Sequence, residues 1–373
     1  MCVLGVATVL ARRAIFLVLA LFLAVLLTGF ILGITGYIDA IINAIINDEV
    51  RAYRQMLISL PQRPPPEELE RLVSQYRQEL IEYWGMDKPW YARIIPMVFN
   101  TLTLNLGKTQ SPEVANVAGL APNSPVNSVI LSCLPRTIFM ITFAEAIVIL
   151  IALAVGPLVV YRIGSLTDRL VVAYAALMNA FPIWWVALVM LLVFSYDLRI
   201  APTQFRPVIS HIDALLSSMS DITRFDILKF REELVNVLSY VWLPMLTIVI
   251  VLTGPWIYSI RAMLIKIVKE DFVTAAVARG LPEKQILRRY IIRPAASPIV
   301  TSVLLGLAGT LGGYIITESV FDWPGMGTLY YAAVTGGDAP TILALTYIFT
   351  LVYVIARFIL EMLYVILDPR VRL

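Results

Sequence analysis

The chain has 373 residues, of which 59% are hydrophobic and 15% charged, with a mean hydropathy of +0.82. A soluble globular domain has roughly 45–50% apolar and about 25% charged residues, so this composition excludes that class and indicates a polytopic membrane protein. The net charge of +3 is too small to suggest nucleic acid. The two cysteines, Cys2 and Cys133, exclude a disulfide framework, and the single histidine, His211, excludes histidine triads and zinc clusters.

In chain order, Arg12 and Arg13 precede an apolar run over 14–38. It is too long for a signal-peptide core and is expected to be a retained first span. Gly29 and Gly33 within it fit either a helix-packing face or the general abundance of glycine in membrane helices. Residues 39–136 then form an extramembrane subdomain. Pro64, Pro65 and Pro66 open a helix that Gly85 closes. Its Leu69, Leu72, Val73, Tyr76, Leu80 and Tyr83 recur at helical spacing, which predicts packing inside that subdomain. Gly107-Lys108-Thr109 is not a phosphate loop, because Leu102 stands where the required glycine would be.

Five further apolar runs, each at or above about 20 residues, predict spans over 137–161, 170–196, 241–260, 299–320 and 340–366. The expected class is all-α, with six transmembrane helices and a core over 137–373. Short loops carry arginine at Arg12, Arg13, Arg162, Arg169, Arg370 and Arg372, and the 261–293 loop has eight Lys/Arg. The loop over 321–339 has none, so both termini are expected in the cytoplasm. His211 is expected in a loop.

No catalytic constellation is visible. Acids in or beside spans are Glu145, Glu318 and Glu361, and such groups face a bundle interior or a cavity. Arg357 and Glu361, at i and i+4, are expected to pair. Glu145 and Glu318 are candidates for a translocation path. So are Asn179 and Pro182, where proline interrupts the third span, and Pro244 and Pro255 act similarly in the fourth. Gly306, Gly309, Gly312 and Gly313 in the fifth fit close helix approach or a flexible pore-lining helix.

The long polar, basic stretch over 266–298 reads as two short helices with a hinge. The first covers 270–279 with small residues at Thr274, Ala275 and Ala276, and ends at Gly280 in the left-handed position. Pro282 suits the start of the next helix, with Glu283 in its first turn, and Pro294 is expected to stop the run. A solvated basic loop is one reading. A docking element is the other, since small side chains followed by glycine let a partner surface approach the backbone.

This stretch resembles the cytoplasmic "EAA" loop of ATP-binding-cassette importer permeases in the dipeptide/oligopeptide branch. The pattern is met from Asp271 through Phe272, Val273, Thr274, Ala275, Ala276, Gly280 and Leu281, one residue shorter between valine and threonine, with Pro298 as its closing proline. Thr274 stands at the glutamate that names the motif, and Tyr290 where many relatives have histidine. Three other segments are similar to the same family. They are 85–109, with Asn105 in place of an aspartate; 318–327, a tight external turn holding Pro324, Gly325 and Gly327; and the tail over 367–372. The segment over 39–82 looks like an insertion.

The resemblance implies one permease subunit of a binding-protein-dependent importer in the plasma membrane. Its loop over 264–298 would dock on ATPase subunits. The implied partners are a second, homologous permease, two ATPases that hold the ATP and Mg, and an external solute-binding protein. This chain itself would hold no cofactor. Peptides are the implied cargo, with oligosaccharides or nickel as alternatives. An ion-gradient-driven secondary transporter would explain six spans and buried acids, but not the small-residue helix. A membrane enzyme lacks its parts.

Overall fold

The computed structural model describes residues 2–60, 64–160, 163–220, 226–310 and 315–367. Among these there is no β-strand, only an isolated bridge between Lys108 and Pro125, so the all-α expectation holds. Arg162, Gly312, Gly313 and the tail over 368–373 lie outside the described residues.

The helices are α1 (Cys2–Ile34), α2 (Tyr37–Ser59), α3 (Pro66–Tyr83), α4 (Trp90–Leu102), α5 (Pro112–Ala118), α6 (Val126–Val160), α7 (Leu166–Ala180) and α8 (Ile183–Leu191). They continue with α9 (Val208–Ser220), α10 (Ile227–Val268), α11 (Asp271–Ala278), α12 (Glu283–Gln285), α13 (Arg293–Thr310), α14 (Ile315–Phe321), α15 (Met326–Thr335) and α16 (Ala339–Leu367). Wider π turns extend α8 over Leu192–Asp197 and α12 over Ile286–Ile292.

Four helices are long and apolar enough to cross a membrane: Ala11–Ile34, Val126–Val160, Ile227–Val268 and Ala339–Met362. A fifth candidate is the pair Leu166–Ala180 and Ile183–Asp197, bent by 90°. Pro182 causes the bend. It has no N–H for the carbonyl of Met178, and its own carbonyl accepts from Trp185 and Val186 to start α8. The stretch over 299–320 is described as the end of α13 and α14, on either side of 311–314.

Several boundaries differ from the sequence expectation. The first span stops at Ile34, because Gly36 adopts φ +62° and turns the chain into α2. The helix of the second span begins at Val126 and that of the fourth at Ile227, well before their apolar runs. Pro294 does not stop the run after the basic loop. It follows a π turn that has already shifted the hydrogen-bond register, and the helix goes on through Pro298. His211 lies within α9, not in a loop.

The described chain separates into two compact units. The first comprises 1–17, 132–329 and 352–373. Its centre is α10, which packs against α7, α8, α9 and α13. Gly254 allows a close backbone approach: a Cβ there would lie 2.9 Å from the Cα of Ala175 on α7. The second unit comprises 18–131 and 330–351. In it α2 and α3 form a hairpin closed by Leu69, Val73 and Leu80, by the tilted ring contact of Tyr53 with Tyr76, and by an ion pair between Arg54 and Glu70.

Candidate functional site

Three arrangements carry the residues singled out from sequence. The first is the loop that holds α11. Glu270 precedes the helix in an extended conformation, and Asp271 sits in its first turn, where the dipole favours an acid. At the far end the Gly280 N–H donates to Val277 O at 2.9 Å and the Leu281 N–H to Ala276 O at 3.4 Å, the Schellman pattern. Gly280 has φ +69°, and a Cβ there would touch nothing, so the glycine serves backbone conformation and not space. Val273 and Ala276 are buried with Leu264, Ile286 and Ile291. Thr274, Ala275 and Ala278 are exposed beside Phe272 and Val277. The small residues therefore divide: Ala276 anchors the helix, while Thr274 and Ala275 form its open face. Asp168 braces the α7 end nearby in the unit. Arg261 of α10 binds it through two nitrogens, Nε at 2.6 Å and Nη2 at 3.0 Å, and the Gly164 N–H donates to it at 2.8 Å. Sequence reading missed this pair. The only local signal is Ser165 three residues before Asp168, a helix-start pattern that the Ser165 side chain completes.

The second arrangement is the turn after α14. Glu318 is fully buried, and its Oε2 accepts from the N–H groups of Gly327 (2.8 Å) and Thr328 (3.4 Å). Thr137 of α6 donates to Oε1 at 3.1 Å and accepts from the Met326 N–H at 2.7 Å. The first three N–H groups of α15 are thus satisfied by two side chains from elsewhere in the chain. The glycines follow from this. A Cβ on Gly325 would lie 2.4 Å from both Glu318 Oε2 and Thr137 Oγ1, and one on Gly327 would lie 2.8 Å from the Cα of Ile315. Arg136 reaches the Pro324 carbonyl at 3.4 Å. Glu318 is accordingly a helix cap in this structure. A second buried carboxylate repeats the device further on. Asp338 Oδ1 accepts from the Thr341 N–H of α16 at 3.1 Å, and Oδ2 accepts from Gln110 and Ser111 at 2.7 and 2.9 Å.

The third is a cavity of about 350 Å³ between α7 and α10, lined by Val172, Ala175, Ala176, Asn179, Pro255 and Tyr258. It brings Asn179 and Pro255 together beside the bend at Pro182. Glu145 is buried on α6. Gly309 belongs to α13, and Gly313 lies outside the described residues. Arg357 and Glu361 do pair, at 3.9 Å, but Arg13 of α1 is nearer to Glu361 at 3.4 Å. No group of three or more metal-ligating side chains occurs among the described residues.

Four long apolar helices and a further apolar pair bent at proline mark an integral membrane protein. Residues 133–373 match the family described as "Binding-protein-dependent transport system inner membrane component", and the chain belongs to that family. It is a permease component and not itself an enzyme. It is similar to the oligopeptide transport system permease protein AppB of Bacillus subtilis, at 25% identity over 79% of this chain and 84% of the relative. It is also similar to the probable D,D-dipeptide transport system permease protein DdpB of Escherichia coli, at 27% over 81% and 85%, and to the di/tripeptide transport system permease protein DppB of Pseudomonas aeruginosa, at 24% over 81% and 87%.

Proposed function

We propose that this chain is one permease subunit of an ATP-driven importer for di- or oligopeptides. It would line the translocation path with a second, homologous permease and receive solute from an external binding protein. The peptide cargo is supported by the names of the similar permeases, each of which is described as a peptide or dipeptide system. The chain takes energy from two partner ATPases, which hold the ATP and Mg. Six spans with both termini in the cytoplasm are the topology this reading requires, and the bent pair α7–α8 counts as one of them.

The observation that carries the coupling role is α11, which has one buried foot (Val273, Ala276) and an open face of small side chains, Thr274 and Ala275, closed by Gly280. A short rigid helix held this way moves as a body with α10 and α13, whose residues share its apolar cluster. Closure of the ATPases would displace α11 and so bias the permease pair between inward- and outward-open states. That coupling exists only if α11 contacts the ATPases differently in the two states. Asn179, Pro182 and the cavity beside them are the path candidates that geometry groups together.

The test is ATPase activity of the reconstituted complex, with and without binding protein and peptide, for wild type and Gly280→Asp. Stimulation by peptide that vanishes in the variant, with weakened assembly, supports both parts of the reading. A variant that assembles and responds normally removes α11 from the coupling role. A response to an oligosaccharide alone keeps the machine and changes the cargo.

A further inference from the structure

The helix α4 lies in the stretch between the first two spans, which the sequence reading placed wholly outside the membrane. Its partner surface in the structure is a membrane span. The Gly29 and Gly33 backbone of α1 is covered by α4: a Cβ on Gly33 would lie 2.1 Å from the Trp90 ring, and one on Gly29 would lie 2.3 Å from Val98. Trp90 meets the Phe30 ring edge-on at 5.8 Å. A cavity of about 230 Å³ between the two helices is lined by Leu26, Phe30, Trp90, Ile94, Ile95 and Val98 alone. A Cβ on the same Gly29 would also lie 3.7 Å from Leu343 of α16, so α4 shares its neighbour with a second candidate span.

Depth follows from the helix rise. Gly29 sits about 7 Å, and Leu26 about 12 Å, inside the end of α1 at Ile34. The hydrocarbon layer of one leaflet is about 15 Å thick. Contact with these residues places the middle of α4 below the headgroups.

The flank of α4 beside this contact is also apolar. Tyr91, Ile95 and Phe99, one turn apart, are 52%, 61% and 66% exposed. On α1, Leu23, Leu27, Phe30 and Ile31 are exposed as well. The one charged side chain of α4, Arg93, is 2.6 Å from Asp39 and turned towards the α2 end. The helix terminus is closed by its own groups. Thr101 Oγ1 donates to Met97 O, Thr103 Oγ1 to Phe99 O and Asn100 O, and the Asn105 N–H to Asn100 O. A helix end in hydrocarbon needs such internal partners, since no water is there to supply them.

We infer that α4 is a membrane-embedded half-helix. It enters the leaflet in which α1 ends, packs on the Gly29–Gly33 face, and presents Tyr91, Ile95 and Phe99 to lipid acyl chains. At 13 residues it is about 20 Å long, too short to cross and long enough to dip in at a slant. The inference depends only on α1 being in the bilayer, and not on cargo or ATPase partner.

The experiment places single cysteines at Ile95 and Phe99 of the full chain in a Cys2→Ser background, where buried Cys133 stays unlabelled. A nitroxide is attached, and the protein is reconstituted in phosphatidylethanolamine/phosphatidylglycerol vesicles. Line broadening by oxygen, which partitions into lipid, is compared with broadening by a water-soluble nickel chelate. Gln78→Cys, on the exposed side of α3, is the aqueous reference. The expected result is oxygen over nickel at Ile95 and Phe99, and the reverse at Gln78. Nickel over oxygen at Ile95 and Phe99 puts α4 in water and overturns the inference. Low broadening by both reagents means that protein covers the ridge, which also overturns it.

Discussion

Glu318 Oε2 stands 2.8 Å from the N–H of Gly327, and a Cβ on that glycine would lie 3.0 Å from the same oxygen. Acid and glycine are therefore one feature: the helix start can be closed by a carboxylate only because nothing occupies the space between them. Glu318→Gln keeps the shape and one acceptor, and is expected to cost about 1 kcal/mol through the lost charge at a helix N-terminus. Glu318→Ala strands several buried donors and is expected to cost about 2–3 kcal/mol. Gly325→Ala should match the alanine variant by crowding the cap. Thermal unfolding of the purified protein orders the three. Equal losses for Glu318→Gln and Glu318→Ala would contradict the capping role.

Asp168 and Arg261 tie the start of α7 to α10 with side chains that are 6% and 14% exposed. Breaking a buried pair from one side leaves an uncompensated charge, so Arg261→Met should cost about 3–5 kcal/mol. The double variant Asp168→Leu/Arg261→Met removes both charges and should recover most of that loss. Unfolding midpoints of the two single variants and the double give the coupling directly. Additive losses would show that the pair does not act as a unit.

Asp338 provides a pH dependence. Burial raises its carboxyl above the ordinary carboxylate range, against the opposing pull of the Ser111 and Thr341 contacts and the Gln110 N–H. A carboxyl with a raised folded value holds its proton better in the folded state. Its contribution to stability is then full below the unfolded value of about 3.9 and is lost as pH rises through the raised value. The stability advantage of wild type over Asp338→Asn should therefore be greatest at the acid end and shrink across that window. An advantage that grows with pH there would reverse the sign and refute the assignment.

On α11 the neighbours Ala275 and Ala276 should separate docking from folding. Ala276 is 2% exposed within the apolar cluster, so Ala276→Leu overpacks it and lowers the unfolding midpoint, at a cost of about 1–3 kcal/mol. Ala275 points outward, so Ala275→Trp leaves the midpoint unchanged and weakens copurification of ATPase subunits. If Ala275→Trp assembles normally, the open face is not the contact.

Much of the fold was legible in the sequence because bilayer thickness and helical period impose patterns on a single chain. The apolar runs, the Gly280 closure of α11 and the pairing of Arg357 with Glu361 are all local signals. What escaped depends on residues far apart. Thr137 and Glu318, or Asp338 and Ser111, meet only in the folded chain, and nothing beside either residue announces the partner. Pro294 misled for a related reason: a proline stops a regular helix, but a π turn ahead of it removes the conflict. The end of the first span was misplaced because the apolar Tyr37 and Ile38 that follow Gly36 already belong to α2. The open face of α11 was identified as a group, whereas burial assigns Ala276 to the opposite side.

The helix α10 runs unbroken for 42 residues, about 63 Å, roughly twice the thickness of a hydrocarbon layer. One end is fastened by Asp226 and packs on α9, where His211 holds Glu233 at 2.8 Å; the other leads into α11. If the bilayer served as a pivot for so long a rod, a tilt would displace its two ends in proportion to their distances from that pivot. Pro244 and Pro255 each delete a backbone hydrogen bond along the shaft, which makes them the places where such a rod would flex under load instead of transmitting it.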